Sequence, residues 1–326
     1  MNKKNLLDLS LVIPVYNEAR NLPELYREIK NSCDQLGKSY EIIFIDDGSW
    51  DESFPLLKKI QKQDSKVKII KLRKNFGQTA ALSAGFDYSI GNILITLDAD
   101  LQNDPNDFGI LLKKIEEGYD IISGWRVKRK DKFLSRRLPS IIANRLISVI
   151  TRVKLHDYGC TLKAFRRDVI KNINLYGELH RFIPAIASNM GVTIAEVKVN
   201  HRPRRYGKSK YSITRFIKVI LDLLSVKFFL SYSTRPLQIF GVFGLISGIT
   251  GGIIGLYLSY QRLIVKVGIS GRPLLLLSIL LIVIGVQFIT LGLLAEVMVR
   301  TYHESLNKKI YSIQEIIDSD SDKTSE

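Results

Sequence analysis

The chain has 326 residues with a formal net charge of +16, 46% hydrophobic and 25% charged side chains. This allows one large or two ordinary domains with a packed core. Cys33 and Cys160, the only cysteines, have no paired spacing, which argues against a disulfide scaffold and fits a reducing compartment. The positive charge is compatible with nucleic acid, anionic lipid or a phosphorylated substrate, and equally with the basic cytoplasmic flanks of a membrane protein.

Asp8 interrupts the opening apolar run and no small-residue cleavage site follows, so no signal peptide is expected. Leu9–Tyr16 predicts a strand, and Asn21-Leu22-Pro23-Glu24 a helix start, with Asn21 as cap and Pro23 in the first turn. Tyr40–Asp46 predicts a buried strand ending in Asp46-Asp47-Gly48-Ser49, with a helix from Asp51. A strand over Val67–Leu72, a helix over Phe76–Ile90 and a strand over Asn92–Leu97 follow, the last running into Asp98-Ala99-Asp100. Pro105 opens another helix, and Tyr119–Trp125 is another strand. Strands alternating with helices predict an α/β fold with a mostly parallel sheet, in which ligands gather at the carboxyl ends of the strands. Asn17-Glu18, Asp46–Ser49 and Asp98–Asp100 all fall at such ends.

Apolar residues then recur at helical spacing over Phe133–Ile150, flanked by arginines, and over Tyr211–Leu230. Basic amphipathic helices of this kind suit an anionic membrane surface, with ordinary core helices as the alternative. Residues 236–261 and 273–295 carry no charged side chain, and about 20 apolar residues cross a bilayer core, so both are expected to span it. The short link Arg262–Arg272 makes them a hairpin. Lys218, Lys227 and Arg235 before it, and Arg300, Lys308 and Lys309 after it, outnumber the basic residues of the link and place both ends in the cytoplasm. Gly244, Gly248, Gly251, Gly252 and Gly255 on the first span allow close helix approach within the hairpin or between subunits of a homo-oligomer. The predicted organisation is a cytosolic domain over 1–210, an interface helix over 211–234, the hairpin over 235–300, and a C-terminal helix with an acidic tail over 301–326.

Asp98 and Asp100, two apart at the end of an apolar strand, project to the same side. Two such carboxylates repel unless a cation lies between them, and Mg²⁺ or Mn²⁺ takes oxygen ligands together with substrate phosphates. A solvated turn is the competing reading; the buried strand before the pair and Gln102-Asn103-Asp104-Pro105 after it favour a site. Asn103 at the sixth position and Gly109 at the twelfth exclude an EF-hand, and neither a P-loop nor a dinucleotide fingerprint occurs. The scattered histidines lack zinc spacing with the cysteines.

Val12–Glu18 (VIPVYNE), Asp46-Asp47-Gly48-Ser49 and Asp98–Gln102 (DADLQ) resemble inverting family 2 glycosyltransferases of the GT-A, Rossmann-like fold. Asn75–Gln78 (NFGQ), Gly124-Trp125-Arg126, Asp157–Cys160 (DYGC) and Arg202–Tyr211 narrow the resemblance to polyisoprenyl-phosphate glycosyltransferases. By that resemblance Pro14, Tyr16, Glu18 and Asp46 bind the nucleoside, while Asp98, Asp100 and Gln102 hold Mg²⁺ or Mn²⁺ and the donor diphosphate. Asp157 matches the catalytic base. A lipid phosphate, with a second pKa of about 6, is already largely ionised near neutral pH, so a positioning role for Asp157 stays open. Arg126, Arg136, Arg137, Arg202, Arg204 and Lys208 are candidates for the acceptor phosphate, arginine through its bidentate fork.

The resemblance implies transfer of a hexose, with inversion, from a nucleotide-sugar to polyisoprenyl phosphate at the cytoplasmic face of the inner (plasma) membrane. UDP-glucose and undecaprenyl phosphate are favoured; GDP-mannose with a dolichyl or polyprenyl phosphate is the alternative. A processive synthase would add a Q-x-x-R-W segment and more spans, which this sequence lacks. A non-catalytic membrane scaffold is the remaining reading, and nucleic acid is not an expected partner.

Overall fold

The computed structural model describes residues 6–127, 153–173, 179–188, 190–203, 236–266, 273–304 and 309–318, together with residues 144, 147, 148, 151, 175 and 268. Two compact units are distinguished, one from within residues 1–226 and 309–326 and one from within residues 227–308.

The first unit opens with strand β1 (Leu7–Val15), helix α1 (Leu22–Leu36), β2 (Tyr40–Asp46), α2 (Ser53–Gln63), β3 (Val67–Leu72), α3 (Gln78–Tyr88) and β4 (Gly91–Thr96). It continues with α4 (Phe108–Glu116), β5 (Ile121–Trp125), β6 (Lys163–Arg166), α5 (Arg167–Ile170), α6 (Ile183–Ser188) and β7 (Ile194–Lys198). After the second unit, β8 (Ile313–Ile317) rejoins the sheet. The eight strands are ordered β7-β5-β6-β4-β1-β2-β3-β8. Those of the alternating β/α run are parallel; β6 and β8 are antiparallel to their neighbours.

Every residue of β2 is buried, because helices cover both faces of the sheet. On one face Leu9, Leu11 and Ile13 of β1 join a cluster with Leu25 and Ile29 of α1 and Leu111 and Ile115 of α4. Each such fully buried aliphatic side chain contributes about 1.5–3 kcal/mol by leaving water. On the other face α3 lies close to the sheet: a Cβ on Gly85 would stand 2.3 Å from Cγ1 of Val12.

The expected early strands and helices are present. Asn21 differs: its side chain makes no cap and instead donates to Oε2 of Glu18 at 2.6 Å. The predicted C-terminal helix and tail over 301–326 also give way in part, since Ile313–Ile317 forms a strand on the edge of β3, pairing Ile316 with Ile70 and Ile317 with Ile69. β-Branched side chains suit a pleated edge, and the ladder satisfies backbone groups that β3 would otherwise expose. Lys68 of β3 reaches both Glu41, at 3.5 Å, and Asp318, at 2.9 Å, which fastens this return segment.

Among the described residues, the second unit's helices are α7 (Pro236–Leu263) and α8 (Pro273–Glu304). Their stretches Phe240–Leu263 and Pro273–Ala295 are long and apolar enough to cross a membrane, with mean hydropathy 1.7 and 2.8. The glycines divide by role. A Cβ on Gly244 would stand 2.7 Å from the Gly285 carbonyl, and one on Gly251 2.8 Å from that of Ser278, so both are points of close approach between the helices. Positions 248 and 252 have open space where a Cβ would be. Ser278 Oγ also donates to the Gly251 carbonyl at 2.8 Å.

Candidate active site

The carboxyl ends of β1, β2 and β4 carry the motifs, and their loops are tied together. Asn17 N–H donates to Ser49 Oγ (3.0 Å), Glu18 N–H to Ser53 Oγ (2.9 Å), and Trp50 N–H back to Asn17 Oδ1 (3.0 Å). Asn17 adopts φ 57°, a left-handed conformation that asparagine tolerates better than most residues. Asp47 accepts from the N–H groups of Phe76 (2.7 Å) and Gly77 (3.0 Å), joining the β2 end to the turn before α3. Gly48 has φ 70°, and a Cβ there would stand 2.5 Å from the carbonyl carbon of Lys74, so only glycine fits.

Asp46 is fully buried. One carboxylate oxygen accepts from Ser49 N–H at 3.2 Å, while Oδ2 has no hydrogen-bond partner among the described residues. Burial pushes its carboxyl pKa up, against the hydrogen bonds from Ser49. An orphaned buried acceptor costs about 1–3 kcal/mol, which a donor group of a bound ligand offsets.

Asp98 accepts from Nε2 of Gln78 at 2.7 Å. Burial first, and the charge of Asp100 second, push its carboxyl up to about 7. Asp100 accepts from Gln102 N–H at 3.1 Å across a turn in which Leu101 adopts φ 60°. Among the described residues no three acidic, histidine or cysteine side chains cluster as a complete metal site. Two mutually repelling carboxylates with the Gln102 amide on the same turn are nonetheless a donor set that fits a hard divalent cation sharing its remaining positions with phosphate.

At the end of β5, Arg126 grips Asp157. Nε reaches Oδ2 at 2.7 Å and Nη2 reaches Oδ1 at 2.9 Å, with the two side chains only 13% and 2% exposed. Gly124 permits the approach of the segment after Asp157: a Cβ there would stand 2.9 Å from Sγ of Cys160 and from the Leu162 carbonyl. His156 stacks on Trp125 with ring centroids 4.1 Å apart.

Residues 10–173 match the family described as Glycosyl transferase family 2. The chain belongs to this family. The dodecaprenyl-phosphate galacturonate synthase of Rhizobium johnstonii is 41% identical over 97% of this chain and 94% of its own length. The undecaprenyl-phosphate 4-deoxy-4-formamido-L-arabinose transferase of Shewanella sediminis is 40% identical over the same shares. A solved structure of glucosyl-3-phosphoglycerate synthase from Mycobacterium tuberculosis, in complex with Mn²⁺, uridine diphosphate and glucosyl-3-phosphoglycerate, aligns with a TM-score of 0.53. It covers 69% of this chain and 80% of that one at 16% identity, a likeness of fold, which is GT-A.

In this family 2 glycosyltransferase, Pro14, Tyr16, Glu18, Asp46, Asp98, Asp100 and Gln102 all lie in or just beyond the ends of β1, β2 and β4, as their motifs imply. Arg126 and Asp157, expected to serve acceptor and catalysis separately, are brought together as one pair. Arg202 differs from expectation: its guanidinium pairs with Glu28 at 2.7 Å and Asp104 at 2.8 Å, because the chain after β7 returns past α1. Arg136, Arg137, Arg204 and Lys208 lie outside the described residues, as do most of segment 133–150 and all of 211–230.

Sequence reasoning assigned no role to Gln78, Lys163 or Glu196. Gln78 stands in a motif already quoted, and Lys163 is a lone charge in an apolar run, Leu162–Phe165, which is itself a signal. Glu196 is one charge in a short segment of mixed polarity, Ile194–Lys198, and carries no such signal.

Proposed function

We propose that this chain transfers a sugar from a nucleotide-sugar to a polyisoprenyl phosphate, with inversion, at the cytoplasmic face of a membrane. The observation that carries the reading is that the buried Asp46 carboxylate, the Asp98–Asp100 pair and the Arg126–Asp157 pair all lie at carboxyl ends of strands of one sheet, in a chain with two membrane-length helices. Relatives named for dodecaprenyl- and undecaprenyl-phosphate products support the acceptor class. Their sugars, galacturonate and formamido-arabinose, widen the donor beyond the favoured UDP-glucose.

In this reading Pro14, Tyr16 and Glu18 shape the nucleoside pocket, and Asp46 Oδ2 accepts from its ribose or base. Asp98, Asp100 and Gln102 would hold Mg²⁺ or Mn²⁺, which when bound would supply charge neutralisation for the departing nucleoside diphosphate. A lipid phosphate oxygen attacks the anomeric carbon while the bond to the diphosphate breaks, and the diphosphate leaves with the electron pair. The attacking oxygen is already ionised, so Asp157 serves by fixing the orientation of the Arg126 guanidinium, whose charge then lies beside the acceptor phosphate. One displacement inverts the centre without a covalent intermediate. The return of β8 to the sheet that β1 began supports a hairpin whose two ends lie on one side, the cytoplasmic one by the basic flanks.

The test is transfer of radiolabelled sugar to undecaprenyl phosphate by the full chain in lipid nanodiscs, across UDP-glucose, UDP-galacturonate, a UDP-linked formamido-pentose and GDP-mannose. A lipid-extractable product that disappears with EDTA and in Asp100→Asn is expected. Folded protein that transfers from none of these donors overturns the reading in favour of a non-catalytic membrane component.

A further inference from the structure

The turn 156–160, which carries Asp157, is held by charges from both neighbouring strands. On β7, the Glu196 carboxylate accepts from the backbone N–H of His156 at 2.9 Å and of Asp157 at 3.0 Å, and sits 2.6 Å from Nδ1 of His156. On β6, the buried Lys163 ammonium donates to the carbonyls of Tyr158, at 3.3 Å, and Cys160. Ser123 of β5, the strand between them, is the register partner of both Glu196 and Lys163. The turn therefore lies across the end of β5, its N–H groups on an anion and its carbonyls on a cation. Burial lowers the Lys163 pKa, while the neighbouring Asp157 and Asp98 carboxylates favour its charged form, so the ammonium is tied both to the carbonyls of the turn and to the charges of the site.

We propose that Glu196 and Lys163 are positioning residues that hold this turn, and with it the Arg126–Asp157 pair, in the geometry required for sugar transfer. The proposal rests on the active-site reading above. It needs a measurement independent of activity, and the cysteines provide one. Cys160 ends the clamped turn and Cys33 lies on α1; both are fully buried. Loosening the clamp exposes Cys160 alone, whereas general destabilisation exposes both.

Maleimide labelling of each cysteine is followed by mass spectrometry in the full chain, alongside steady-state kinetics, for Glu196→Ala and Lys163→Met. Glu196→Gln and Lys163→Gln, which remove the charge but keep a polar side chain, carry the test if the first pair does not fold. Cys160 labelling is expected to accelerate about tenfold or more with Cys33 unchanged. kcat is expected to fall about tenfold to hundredfold with donor KM nearly unchanged. Unchanged Cys160 labelling, acceleration only in step with Cys33, or faster Cys160 labelling with wild-type kcat would each overturn the clamp. A wild-type protein that makes no lipid-linked sugar overturns the active-site reading instead.

Discussion

Arg126 and Asp157 form a two-point ion pair, Nε to Oδ2 and Nη2 to Oδ1, at the end of β5 and with little solvent contact. Groups that act as one unit lose function together. Arg126→Lys keeps the charge but not the fork, and Asp157→Asn keeps the shape but not the charge. Each is expected to lower kcat about 100-fold, and the double variant to be no slower than the worse single one. A double variant slower by the product of both effects would mean that the residues act separately.

Asp98 gives the metal-free protein a defined pH dependence. Its carboxyl stands at about 7 in the fold against an ordinary 3.8, so the folded state keeps the proton over that interval. The associated stability is fully present below the lower value and is lost as pH rises through the upper one. In EDTA the wild-type Tm should therefore fall between about pH 4 and pH 7 and level off above, while Asp98→Asn falls less. At about 1.4 kcal/mol per pKa unit the difference at the upper pH is a few kcal/mol, at most about 4. Calorimetry across pH checks this, and the variant should transfer no sugar.

Gly48→Ala places a Cβ 2.5 Å from the Lys74 carbonyl carbon in a backbone of φ 70°. The turn bearing Asp46 and Asp47 must then shift. A loss of about 1–3 kcal/mol is expected, with donor affinity falling more than acceptor affinity. Titration of tryptophan fluorescence with donor reads this directly, since Trp50 adjoins the turn and is 81% exposed.

The membrane hairpin separates two kinds of glycine. Gly251→Ile drives a side chain into the Ser278 carbonyl and Ile282, whereas Gly252→Ile enters open space. The first should destabilise the helix pair by about 1–3 kcal/mol and the second should be neutral within the pair. Thermal unfolding in detergent distinguishes them.

Truncation before Ile313 removes the strand on β3 and the Asp318 partner of Lys68. The exposed edge of β3 is expected to lower the Tm of the sheet and to promote association, measured by light scattering.

Periodicity and turn chemistry made much of this protein legible without coordinates. Alternating β/α segments imposed the parallel sheet, because each buried strand such as Tyr40–Asp46 needs helices on both faces. Their carboxyl ends then located Asp46, Asp98 and Asp100, and two uncharged apolar runs identified the membrane-length helices. These are local signals, carried by neighbours in the chain.

What only the tertiary structure decided depends on residues far apart in sequence. Asp157 meets Arg126 across 31 positions, Arg202 meets Glu28 across 174, and β8 closes on β3 after both long helices have intervened. Short β6, β7 and β8 carry too few residues to declare a period, and each owes its place to a neighbouring strand. The partner of a buried charge is likewise fixed by which backbone groups and side chains the fold brings within hydrogen-bond reach, and spacing along the chain does not encode that proximity.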